Sequence, residues 1–167
     1  IVSDNQELIN GYVITGYKEI IDDMIISSGF YTRTINSLSN EDVRASKRLY
    51  IPSSRLRGFE TGKVGPTDGS DHVGGNYAAA LSLEANLPNL LPENTRTDVS
   101  LFLDFGNVWG VDYDSSIDES NELRSSTGVA ASWSSPLGPM TFILSTNLSK
   151  ASTDETESFN FNLGTTF

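Results

Sequence analysis

Apolar side chains recur at every second position through most of this chain, and helical periodicity is scarce. That pattern places successive side chains on opposite faces of a pleated strand. Over residues 76–88 the odd positions read Tyr77, Ala79, Leu81, Leu83, Ala85 and Leu87, against Ala78, Ala80, Ser82, Glu84 and Asn86. Over 99–106, Val99, Leu101, Leu103 and Phe105 oppose Ser100, Phe102, Asp104 and Gly106. Over 128–133, Val129, Ala131 and Trp133 oppose Ala130 and Ser132. Over 140–147, Met140, Phe142 and Leu144 oppose Thr141, Ile143, Ser145 and Asn147. At the end of the chain Phe159, Phe161, Leu163, Thr165 and Phe167 oppose Asn160, Asn162, Gly164 and Thr166. Residues 8–18 and 24–36 are rich in Ile, Val, Tyr, Phe and Thr, which also favours strands. Their two faces do not separate, so their orientation stays open. The expectation is an all-β chain of about seven strands.

The connections carry a second pattern. Residues 19–23 make a short turn, and a long polar loop follows over 37–73. The segments 88–95 and 135–139 are short, whereas 110–122 and 149–157 are longer. Transmembrane barrels of the outer-membrane type alternate short turns with long loops in this way. A soluble antiparallel sheet shows the same alternation with its apolar face in a core. The opposite face here carries Ala, Ser, Asn, Gly and a few acids, which suits the wall of a wet or plugged lumen. That favours a membrane barrel, with a soluble sandwich or a lipocalin-like barrel as the other readings. No apolar run approaches the roughly 20 residues of a membrane helix, so any crossing must be made by strands. Seven strands leave two open edges, and single-chain barrels have an even number. The abrupt start at Ile1-Val2-Ser3 fits a piece of a larger barrel, whose open edges would make it oligomerise, aggregate or close with other copies.

The formal net charge of −11 over 167 residues argues against a nucleic-acid surface. The acids gather at Asp112 and Asp114, at Asp118-Glu119 and around Asp154-Glu155-Thr156-Glu157. They read as solvated loops, with a divalent-cation site of hard oxygen ligands as the alternative. There is no cysteine, so disulfides and thiolate metal sites are excluded. Enzyme chemistry finds no support. His72 is the one histidine and lies in the long loop, and no Gly-x-Ser-x-Gly elbow occurs. Residues 58–63 have three residues between glycines, and Val64 follows Lys63, so they do not make a phosphate loop. No catalytic residue, metal ligand or cofactor is expected.

Leu56-Arg57-Gly58-Phe59 stands out inside the long loop. Glycine permits a tight turn, and arginine offers a rigid fork of donors that matches carboxylates. The alternation independently assigns Glu84 and Asp104 to the inner face. The stretch resembles the Val-Arg-Gly-Phe tip of the sixth extracellular loop in the BamA family of outer-membrane assembly factors, within the bacterial surface antigen family. The similarity continues in order through Val73-Gly74-Gly75-Asn76, Ser82-Leu83-Glu84 and Asp104-Phe105-Gly106-Asn107-Val108-Trp109. It extends through the strand and turn at 128–139 and the terminal strand at 159–167, and it is loose over the first 50 residues.

The resemblance implies an antiparallel transmembrane β-barrel portion spanning 1–167, with 37–73 as a long extracellular loop folded into the lumen. The family's barrel has sixteen strands preceded by soluble periplasmic repeats, so this chain would supply the last seven. It implies that Arg57, Gly58 and Phe59 form the tip and that Glu84 and Asp104 pair with it. Phe159, Phe161, Leu163 and Phe167 resemble the C-terminal strand signal, with Phe167 in place of the Trp of some members. The implied work is the folding and insertion of β-barrel proteins in the outer membrane of a Gram-negative bacterium, by templating strands and perturbing the bilayer. The implied partners are that bilayer, nascent β-barrel proteins and assembly-complex lipoproteins. A related two-partner secretion or translocation pore, or a passive porin, is the alternative.

Overall fold

A computed structural model describes residues 6–164 apart from 22, 40, 89, 120 and 137. Seven strands form one antiparallel meander. They are β1 (Glu7–Glu19), β2 (Ile25–Ser37), β5 (Tyr77–Leu87), β6 (Thr97–Trp109), β7 (Arg124–Ser135), β8 (Gly138–Ser149) and β9 (Phe159–Leu163). A two-residue hairpin, β3 (Thr67–Asp68) with β4 (Asp71–His72), lies inside the long loop. The alternation foretold neither this hairpin nor the 3-10 turns at Ala45–Lys47, Glu93–Thr95 and Ser115–Ile117, because all are too short to show a period. The expected strands 99–106, 128–133 and 140–147 are longer at both ends than their periodic cores. The last strand is shorter, stopping at Leu163, and Phe167 lies outside the described residues.

The connections alternate between two rims, and the two longest, 38–76 and 110–123, share one of them with the 150–158 loop. Between β1 and β2 the chain turns through Ile20 N–H to Met24 O (2.9 Å) and Met24 N–H to Ile21 O (3.0 Å). The β7–β8 turn closes between the paired residues Ser135 and Gly138. At the opposite rim the base of the long loop is fastened by a two-way bridge, Leu49 N–H to Gly75 O (2.7 Å) and Gly75 N–H to Leu49 O (3.0 Å).

The sheet is inverted relative to a soluble one. The strictly apolar face is open: Leu101, Leu144, Phe159 and Leu163 are 47%, 61%, 52% and 52% exposed. The mixed face is the covered one. There the long loop packs Val43, Leu49, Ile51, Leu56, Phe59 and Val64 against Tyr31, Ile35, Ala78, Ala80 and Val108. Each fully buried side chain of this size contributes about 1.5–3 kcal/mol, so the loop has its own apolar anchor before any charge is counted. Small residues at Ala78, Ala80 and Gly106 leave the room that the loop fills; the Leu56 and Ile51 methyls reach Gly106. The cross-strand register also settles the orientation of the first two strands. Tyr31 pairs with Ala80, and Val13 with Tyr31, so odd positions of β1 and β2 share the loop side.

Candidate functional site

The register of β5 and β6 sets Ser82 opposite Asp104 and Glu84 opposite Phe102, all on the covered face. The loop brings Arg57 down onto this group. Its Nε donates to Asp104 Oδ2 at 2.7 Å and its Nη2 to Asp104 Oδ1 at 2.8 Å. This is the parallel two-bond geometry that a planar guanidinium makes with a carboxylate. Nη1 donates to Glu84 Oε2 at 2.6 Å, and Nη2 also reaches Ser82 Oγ at 2.9 Å. Ser82 Oγ donates in turn to Asp104 Oδ1 at 2.6 Å. The Arg57 backbone N–H adds a third bond to Asp104, 3.0 Å from Oδ2. Asp104 therefore holds both the side chain and the main chain of the tip.

The two acids are not equivalent. The Asp104 side chain is 1% exposed and that of Glu84 is 36% exposed. Burial works against the charged guanidinium, but Asp104 and then Glu84 outweigh it, and Arg57 is held above its ordinary value. The cation also lies over the Phe102 ring, 3.8 Å from its centre. That ring needs space on the neighbouring strand. Gly128, its partner on β7, supplies it, since a Cβ there would fall 2.8 Å from the ring and 2.0 Å from Leu144 O.

The next two residues of the tip are equally fixed. Gly58 has φ +88°, a conformation that favours glycine. Its carbonyl accepts from Asn147 Nδ2 (2.9 Å) and from Glu157 N–H (3.2 Å), and Ser126 Oγ donates to Arg57 O. Phe59 is 2% exposed and forms an antiparallel bridge with Thr156. The structure thus brings Arg57, Gly58, Phe59, Glu84 and Asp104 into one site. Phe159, Phe161 and Leu163 lie apart from it, on the open face of the edge strand β9, where Phe161 packs on Phe142 with ring centres 5.0 Å apart. Sequence reasoning missed Ser82, Phe102, Ser126, Gly128 and Asn147. Strand parity was a signal for all of them, since each shares the inner face with Asp104.

The reading of the acidic segments as solvated loops holds for Asp118 and Glu155, which are exposed, and needs correction for the acids that pair with arginines. Asp154 is 5% exposed. Asp112 pairs with Arg48, and Asp154 and Glu119 pair with Arg124, with the arginine buried in each case. Asp112 also accepts from Val43 N–H (2.7 Å) and Asn76 Nδ2 (3.1 Å), which joins the long loop to the β6–β7 loop. These acids lie in loops, where no periodicity reports which side chains turn inward. No group of three or more metal-ligating side chains occurs among the described residues. His72, in β4, has its Nε2 3.1 Å from Thr153 O.

The Omp85 superfamily domain matches residues 8–167. The chain belongs to the Omp85 superfamily. Among curated relatives, the outer membrane protein assembly factor BamA of Neisseria meningitidis serogroup B is 37% identical over 139 residues, covering 67% of this chain and 17% of that protein. BamA of Neorickettsia risticii is 26% identical over 160 residues, covering 94% of the chain and 21% of that protein. The crystal structure of BamA from Haemophilus ducreyi lacking POTRA domains 1-3 superposes with a TM-score of 0.85 at 25% identity, over 96% of this chain and 35% of that one. This Omp85 chain therefore spans about one fifth of the length of those curated relatives. The expected BamA resemblance and the antiparallel barrel-portion fold are both borne out.

Proposed function

We propose that this chain is the C-terminal part of the barrel of an outer-membrane assembly factor that folds β-barrel proteins and inserts them into the outer membrane of a Gram-negative bacterium. The observation that carries the reading is the seated loop tip: Arg57 is clamped by Asp104 and Glu84 inside a sheet whose backbone follows that of a BamA barrel. Its work is templating and bilayer perturbation, with no bond chemistry. The open apolar face meets lipid, and the last strand, β9, offers backbone donors and acceptors that can pair with an incoming strand. Nascent barrels are then the substrates, and assembly lipoproteins are partners at the rims.

The test uses the full-length protein reconstituted in liposomes with an unfolded outer-membrane β-barrel as substrate. Folding is followed by the heat-modifiable mobility of the substrate on gels. Acceleration over empty liposomes, lost on Asp104→Ala, is the expected outcome. No acceleration, with passage of a partner polypeptide across the bilayer instead, would replace this reading with a translocation pore.

A further inference from the structure

Arg124 opens β7 and is fully buried, yet it touches none of the tip residues through a hydrogen bond among those described. Its guanidinium instead grips two loops. Nε donates to Asp154 Oδ2 and Nη2 to Asp154 Oδ1, both at 2.9 Å. Nη2 also donates to Glu119 and Nη1 to Asn107 Oδ1. Asn107 Nδ2 donates to Glu119 O at 2.9 Å, and Asp154 Oδ2 accepts from Ala151 N–H at 2.7 Å. One buried cation on the sheet thus fixes both the β6–β7 loop and the β8–β9 loop.

The segment just after Asp154 is paired with the tip. Glu155 N–H donates to Lys63 O and Glu60 N–H to Glu155 O, both at 3.1 Å. Phe59 bridges Thr156, and Glu157 N–H reaches Gly58 O at 3.2 Å. Residues 155–157 therefore run beside 58–63 like an added strand and form the wall of the seat opposite Asp104. A two-stranded pairing this short has little stability of its own. The segment's far end is tied to β8, where Ser145 Oγ donates to Glu157 O at 3.0 Å and Ser145 N–H to Ser158 O at 2.9 Å, and its near end is held through Asp154.

We infer that Arg124, through Asp154 and Glu119, is the latch that holds this wall, and so a positioning residue for the Arg57 tip. The tip is retained by two independent guanidinium clamps. One is its own, on the inner wall; the other is set in the rim and acts through the β8–β9 loop. Releasing the second frees Gly58 and Phe59 while Asp104 stays in place. The inference concerns the seating of the loop and does not depend on what the barrel assembles.

The experiment measures amide hydrogen exchange in the full-length protein in detergent, comparing wild type, Asp154→Asn and Arg124→Ala. A third form carries Glu60→Cys and Glu155→Cys on the Arg124→Ala background, joining the tip covalently to its wall, with any cysteine elsewhere in the full-length protein replaced by serine. Both single variants are expected to raise exchange about tenfold or more at 154–157 and at 56–60, while β5 to β8 keep their protection. The disulfide is expected to return 56–60 to wild-type protection although Arg124 is missing, a rescue that a purely structural role would not give. Unchanged exchange at 56–60 in both variants overturns the latch. So does a loss that the disulfide fails to restore, or failure of the barrel to fold in both variants.

Discussion

Arg57 and Arg124 are built from the same parts in opposite mechanical order. Arg57 rides on a loop and is gripped by acids on strands; Arg124 sits on a strand and grips acids on loops. Each makes a two-bond pair with a buried aspartate, Asp104 or Asp154, whose side chains are 1% and 0% exposed. The surroundings differ. Arg57 has a half-wet partner in Glu84 and an aromatic platform in Phe102, whereas the second acid at Arg124, Glu119, is 18% exposed. A strand-borne acid is held by a ladder on each side and can define where a loop must land. A strand-borne arginine can collect several loops but cannot dictate what lies beyond them. The first arrangement fixes a single pose, and the second sets the boundary around it.

The sharpest way to break this comparison is Asp104→Ala. It leaves the Arg57 guanidinium buried beside a single exposed carboxylate, and it removes the acceptor of the Arg57 N–H. Loss of one partner of a buried pair costs about 3–5 kcal/mol. Limited proteolysis of the full-length protein should show the 37–73 loop becoming cleavable. Protection equal to wild type would mean that the apolar anchor alone seats the loop. Gly58→Ala should come next, at about 1–3 kcal/mol for a non-glycine residue in the left-handed region. The added Cβ would also meet Ser126 Cβ and Ser145 Oγ at 3.2 Å. Amide exchange of 56–60 reads this out, and the change should stay local to the tip. Glu84→Gln should cost no more than about 0–1 kcal/mol, because solvent screens a carboxylate this exposed. A Glu84→Gln effect as large as that of Asp104→Ala would erase the distinction drawn between the two acids.

The legible half of the site is the half built on strands. Glu84 and Asp104 could be placed on one face because a strand's side chains alternate with a period of two, whatever their partners. Arg57 announced itself as an arginine-glycine pair inside a long, mostly polar loop. Phe102 shares that face, but its role as a platform depends on Gly128 being directly opposite on β7, and cross-strand register is not written in either strand alone. Asp154 was invisible for a stronger reason. Its loop has no period, and a carboxylate among Thr and Glu looks solvated until Arg124 is known to lie beneath it. The first two strands were ambiguous because β1 is apolar on both faces, with Ile9, Val13 and Tyr17 on one and Leu8, Tyr12 and Ile14 on the other. Only the pairing of β2 with β5 orients them.

The smallest expected effect concerns a third clamp, between Arg48 of the long loop and Asp112 of the β6–β7 loop, where loop grips loop with no strand between. Burial pushes the Asp112 carboxyl up, but the Val43 N–H, Asn76 and Arg48 hydrogen bonds more than offset this and hold it below its ordinary value of 3.8. A carboxyl depressed in the folded state contributes stability that is complete above its unfolded value and is lost as pH falls through the folded one. This contact should therefore be intact at neutral pH and begin to loosen only below about 3.8. The Val43 amide, bonded to Asp112 Oδ2, reports it directly: its exchange, normalised to the intrinsic rate at each pH, should rise on acidification while that of Leu49, bonded to Gly75 O, does not. If the two amides lose protection together, the loop base is not independent of the acid. The three clamps would then open as one unit, and the contrast between wall-held and loop-held arginines would have no energetic meaning.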